Sequence, residues 1–191
     1  MANINENLLV RGARGNVGKQ FVYRKHGNST IIARMPSTNP NAEGSEAQVE
    51  KRERFGSAAM YAYGAIRNAE LKKEYQKKAP AGNTAYNMAL RDYLKAPVVK
   101  KVNTSGYNGS PGSTIVVYAK DDFRVVAVKV SIYVTSTSQL LEEGSAILDP
   151  IHLAQWIYTA TQAHAALEDL TIIATATDLP GSTGALTVSV V

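Results

Sequence analysis

Hydrophobic positions follow two different periods along this chain. In the C-terminal half they alternate. "FRVVAVKVSIYV" places Val126, Val128, Val130, Ile132 and Val134 on one face and Lys129, Ser131, Tyr133 and Thr135 on the other. "LTIIATATD" repeats the pattern with Leu170, Ile172, Ala174 and Ala176, and "GALTVSVV" with Leu186, Val188 and Val190. A period of two belongs to strands with one buried face. With "STIVVYA", "QLLEEGSAIL" and "QWIYTAT" added, about six or seven short strands fill residues 105–191, a spacing that predicts a β-sandwich.

The first 35 residues also read as strands. "NLLVRG" is short and apolar, and "KQFVYRKH" and "STIIARM" flank Gly27-Asn28, a two-residue hairpin signal. A hairpin is expected from about Lys19 to Met35. "PSTNPNAEG" (36–44) is a linker. The period then changes to that of a helix. Ser45 and Gln48 form a capping-box pattern opening a helix that runs to about Asn68, with Phe55, Ala59, Ala62 and Ile66 as the expected buried stripe, flanked by Met60 and Tyr63. A second helix spans about Ala69 to Ala79 and stops at Pro80. Its Leu71 and Tyr75 face inward, and Glu70 and Glu74 have lysines three and four residues on. A third runs from about Thr84 to Lys95, with Asn83 as the expected cap and Pro97 just beyond. "NTSGYNGSPGS" (103–113), mostly Gly, Ser and Asn, marks a boundary. The fold class is therefore α+β: a module of residues 1–102 with a β-hairpin and two or three helices, then an all-β sandwich of residues 105–191.

Charge follows the same division. Residues 1–104 hold 18 Lys and Arg against 8 Asp and Glu, and residues 105–191 hold 3 against 8. A basic end suits an anionic partner, or the acidic end of a second copy. Among its 191 residues the chain has no cysteine, which removes disulfides and thiolate chemistry. The opening "MANINENLLVRGARG" has no apolar run of signal-peptide length, and no apolar run of roughly 18 residues occurs that would span a bilayer. The expectation is a cytoplasmic protein as synthesised, released by lysis or built into a particle, with no membrane partner.

The closing "WIYTATQAHAALEDLTIIATATDLPGSTGALTVSVV" carries Trp156, Tyr158, Thr159, Leu167, Ala174, Ala176, Asp178, Gly181 and Val188 at the places where bacterial immunoglobulin-like domains have an aromatic strand, a leucine-bearing turn, an A-T-A-x-D strand and a last alternating strand. Over about Ser113 to Val191 the chain resembles that family. The resemblance implies an immunoglobulin-like sandwich and a setting of adhesion, spacing or assembly. Such domains are often exported, and they also decorate phage virions, which need no signal peptide. Residues 1–100 resemble small uncharacterised bacterial proteins, a likeness that implies no activity.

Candidate chemistry is sparse. "ARGNVGKQ" has the outline of a phosphate loop, but Ala13 stands at the first glycine, Gln20 at the metal-binding hydroxyl, and strand-forming "FVYR" follows instead of a helix. The basic hairpin is the stronger candidate. Arg11, Arg14, Lys19, Arg24, Lys25 and Arg34 interleave with Phe21 and Tyr23. Cations neutralise phosphates and aromatics stack on bases. The same side chains suit a solvated sheet with a small core, or docking onto a neighbouring subunit. Asp121-Asp122, Glu142-Glu143 and Asp178 are acidic residues whose loops could converge on calcium, but no D-x-D-x-D-G run is present and no metal site is expected. His26, His152 and His164 lack metal-ligand spacing. No nucleophile motif is present, and Trp156 is the expected core tryptophan. The sequence thus points to a non-enzymatic structural protein that takes no cofactor and no small-molecule substrate. It self-associates or joins other assembly proteins through its N-terminal strands and sandwich edges, as a virion or filament subunit does. A nucleic-acid-binding protein using the basic half is the alternative.

Overall fold

The computed structural model describes residues 2–3, 7–37, 44–164 and 167–190, with Ala2, Asn3 and Glu168 described through their backbone. Contacts divide the chain into two compact units, one of residues 1–53 with 80–83, the other of residues 54–79 with 84–191. Three helices and two sheets make an α+β protein, as the two periods predict.

The first unit holds a four-stranded antiparallel sheet in the order β1-β4-β3-β2. Its strands are β1 (Ala2–Asn3), β2 (Gly15–Val17), β3 (Phe21–His26) and β4 (Ser29–Arg34). The expected hairpin is β3–β4, paired from Phe21↔Arg34 to His26↔Ser29. Gly27 turns it at φ 59, a backbone that an L side chain resists. One expectation fails. "NLLVRG" is not a strand: it folds into turns, with the Arg11 N–H donating to the Asn7 carbonyl at 2.9 Å and Leu8 and Leu9 in solvent. The glycine-rich segment after it turns at Gly12, Gly15 and Gly18, all at positive φ, and also supplies β2, whose Val17 pairs with Phe21.

The second unit is built on a seven-stranded antiparallel sheet ordered β11-β10-β7-β8-β9-β6-β5. The strands are β5 (Val98–Asn103), β6 (Thr114–Lys120), β7 (Val125–Val134), β8 (Leu140–Leu148), β9 (Gln155–Thr159), β10 (Leu170–Asp178) and β11 (Thr183–Ser189). β8 joins two layers. Its residues up to Ala146 pair with β7, and Ile147 and Leu148 pair with β9. At the far ends β11 returns against β5, so closely that a Cβ on Gly184 would lie 1.9 Å from the Pro97 carbonyl oxygen. Inward residues of both layers share one core, including Ile115, Val117, Val128, Val130, Ile132, Trp156, Ile172 and Ala174. β5 precedes the Gly/Ser-rich stretch that was expected to open the β-region. That stretch is the loop from β5 to β6, and the two compact units part within the first helix instead. A bulge between Val99 and Lys101 puts the buried Val99 and Val102 three residues apart, which hides the strand from a period-two reading.

The helices α1 (Glu46–Arg67), α2 (Ala69–Lys78) and α3 (Ala85–Leu94) lie close to their expected spans. Within the second unit they form another core of Ala62, Ala65, Tyr75, Ala85, Met88, Ala89 and Phe123. Tyr75 stacks on Phe123 with centroids 4.0 Å apart. The stripe on α1 has the expected period and a shifted phase: Ala58, Ala62 and Ala65 are buried, and Phe55 is half exposed. Small side chains win the contact because they let neighbours approach closely. Thr84, not Asn83, caps α3 by accepting from the Asn87 N–H. Glu74 pairs with Arg124 at 3.0 Å rather than with lysines of its own helix. No helix among the described residues is long and apolar enough to cross a membrane.

Candidate functional site

In the N-terminal sheet, directly paired residues share a face. One face carries Val17, Phe21, Tyr23 and Ile32 as an apolar strip, with Arg34 opposite Phe21 and Lys25 opposite Thr30. The other carries Val22, Arg24 and His26 with Ile31 and Ala33. Among the described residues of this unit only Thr30 is buried, and both clusters of buried apolar residues lie in the second unit. Val17 is 52% and Phe21 46% exposed. The sheet therefore carries its apolar side chains with no core of its own.

Two hollows flank the strip. One, of about 260 Å³, is walled by Arg11, Gly12 and Arg14 from the segment before β2 and by Lys25, Asn28, Ser29 and Thr30 from the hairpin end. The other, of about 710 Å³, is shallow and is lined by Lys19, Phe21, Arg34 and Met35 among others. The expected contact residues thus separate. Arg11, Arg14 and Lys25 come together at one hollow, and Lys19, Phe21 and Arg34 at the other. Tyr23 lies between them, and Arg24 points to the opposite face. Lys19 sits in a turn with its N–H donating to Asn16 Oδ1 at 2.8 Å, and strand β3 follows it, so no helix N-terminus faces a phosphate there.

The second unit holds two buried acidic sites. Glu142 lies on the inward side of β8 and is 4% exposed. Tyr158 Oη donates to it at 2.7 Å, the Thr161 N–H at 2.5 Å and Thr161 Oγ1 at 2.7 Å, and His164 Nε2 lies 3.0 Å away. Burial alone would raise its pKa, but these bonds outweigh it and hold the carboxyl at about 2. The ring of contacts ties the segment after β9 to β8. Near the end of α3, Asp92 accepts from Tyr75 Oη at 2.6 Å, and Tyr61 Oη contacts Tyr75 Oη at 2.8 Å. Burial first, then the charges of Asp121 and Asp178, push Asp92 up to about 7. Asp92 Oδ1, Asp121 Oδ1 and Asp178 Oδ2 are each buried without a hydrogen-bond partner. Burial likewise raises Asp178.

Of the acidic residues singled out in the β-region, Asp121 and Asp178 approach Asp92, and the other three have partners elsewhere. Asp122 is bridged to Arg91 and Lys95 at 2.7 and 2.8 Å, Glu143 to Lys129 at 3.0 Å, and Glu142 is enclosed in its own ring. Among the described residues no group of three or more Asp, Glu or His is placed to hold a metal ion. The histidines serve locally: His164 meets Glu142, and His152 meets Asp149 at 3.2 Å. Trp156 is in the sheet core. The Asp92 cluster escaped the sequence reading, though it left a signal: an acid one turn beyond Met88 and Ala89 on the apolar face of a helix. No protein-family model matches the chain, and no curated protein matches it.

Proposed function

We propose that this chain is a non-enzymatic building block that self-associates, as the subunit of a particle or filament does. Its N-terminal sheet is the docking element and its C-terminal sheet an immunoglobulin-like spacer. The observation that carries the reading is the coreless first unit: a four-stranded sheet with Val17 and Phe21 about half exposed and no buried apolar side chain among its described residues. Sheets of this size need an apolar face covered to be stable. A second copy supplies that cover, and β2 offers a strand edge on which a copy can continue the sheet.

The strand order supports the immunoglobulin-like spacer. Lettered A to G in chain order from β5, the layers read A-B-E-D and C-F-G, with the fourth strand also pairing to the third. The tryptophan sits on the fifth strand rather than the third. Charge gives less support to a head-to-tail contact, because Asp122, Glu142, Glu143 and Asp149 have partners within their own chain.

Light scattering after size exclusion tests the reading on the full chain and on residues 36–191, which keep both cores. Oligomers of the full chain and a folded monomer of the shortened one are expected. Oligomers that survive the removal of residues 1–35 contradict the reading. Nucleic-acid binding is the second reading, favoured by six Arg and Lys with no Asp or Glu in residues 7–37, and by Phe21 and Tyr23 sharing a face with Lys25 and Arg34. A monomer that enlarges only with single-stranded DNA, less so as salt rises, selects it.

A further inference from the structure

We propose that the hollow between Arg11, Arg14 and Lys25 is a binding site for a phosphate group. The three cations line a hollow of about 260 Å³, and none of the described residues lining it is acidic. No hydrogen bond or ion pair joins the side chains of Arg11, Arg14 or Lys25 to the described residues. An anion in this hollow would meet three cations on its walls.

The chemistry selects the anion. A carboxylate brings one negative charge and two oxygens and leaves most of the positive charge unanswered. A phosphate monoester brings close to two negative charges and three terminal oxygens. Arg11 and Arg14 present planar forks that match a pair of phosphate oxygens, and Lys25 supplies a point charge. Their placement is fixed by the fold. Lys25 stands on β3 opposite Thr30, which is buried, and Arg11 and Arg14 flank Gly12, whose φ of 80 turns the segment. A Cβ on Gly12 would meet nothing within 4 Å, so this wall is open to an incoming group. The volume exceeds that of a bare phosphate, which leaves room for part of the group that carries it.

The site does not depend on self-association, and its test separates the two sources of a phosphate group. The full chain is titrated with inorganic phosphate and, separately, with single-stranded oligothymidylate, while backbone amide shifts are followed by NMR. Saturable shifts confined to Gly12, Arg14 and residues 25–30 are expected with phosphate. The double change Arg11→Gln with Arg14→Gln should weaken binding by about tenfold or more, and Arg24→Gln, on the opposite sheet face, should leave it unchanged. Retained amide dispersion in β3 and β4 shows that the variants keep the sheet. Competition between the oligonucleotide and phosphate for these amides would show that a singly charged nucleic-acid phosphodiester suffices, and would overturn the selection of a monoester. Phosphate binding without competition makes it a free phosphate or a small monoester. Absence of saturable shifts with either probe, or binding that the double variant retains in full, overturns the site.

Discussion

Two buried acids in the second unit are shifted in opposite directions, and each sets a pH dependence. Glu142 is held at about 2 against an ordinary value of 4.5, so its folded form binds protons less readily than its unfolded form. Its contribution is fully present above pH 4.5 and disappears as the pH falls toward 2, an amount on the order of 3 kcal/mol. Urea unfolding of the wild type and Glu142→Gln between pH 7 and the acid limb should show the variant less stable at neutral pH and the difference shrinking as acid is added. Asp92 behaves inversely. Its folded pKa is raised from 3.8 to about 7, so its own contribution to stability is fully present below 3.8 and is lost as the pH rises through 7. An Asn at this position can still accept from Tyr75 and can donate to a carboxylate. Asp92→Asn should therefore stabilise the protein at pH 8 by on the order of 2 kcal/mol and change little near pH 4. A variant that is less stable than wild type at pH 8 contradicts the raised Asp92 pKa. Neither site was legible in the sequence, because each is made by groups brought from distant segments: Glu142 with Thr161 and His164, and Asp92 with Tyr75, Asp121 and Asp178.

Among the elements, regular alternation and clear caps carried most of the information. The β3–β4 hairpin, β6 to β11 and the three helix spans follow from pattern alone, since a Gly, Pro or polar cap bounds them and, in the second unit, a regular period marks the buried face. Where a local irregularity intervenes, the pattern misleads. The bulge in β5 spoils its period, and in α1 Ala58 and Ala65, each one position before the expected Ala59 and Ile66, are buried with Ala62 while Phe55 is half exposed. The closure of the seven-stranded sheet depends on a feature with no periodicity at all, the missing side chain at Gly184 where β11 passes Pro97. The neighbour is backbone and has little room to yield. Gly184→Val should destabilise by about 2–3 kcal/mol, read as a lower urea midpoint. The same change at Gly181, in the turn before β11, meets no atom within 4 Å and tests backbone strain alone.

At the scale of the whole molecule, the two units differ in how they are held. The second has two apolar cores, and its α2 and α3 are fastened to the β6–β7 turn by Glu74–Arg124, Arg91–Asp122 and Lys95–Asp122. The first has strand pairing and, among its described residues, an apolar strip whose Val17 and Phe21 are about half exposed. The proposed self-association through that sheet rests on this difference. It is most directly tested by hydrogen exchange on the full chain at low and high protein concentration. Amides of β3 and β4 should exchange quickly in dilute solution and become protected as copies associate, while those of β7 and β10 stay protected throughout. Amides of β3 and β4 as strongly protected as those of β7 and β10 in the dilute monomer would show that the sheet needs no partner, and would contradict docking as its role.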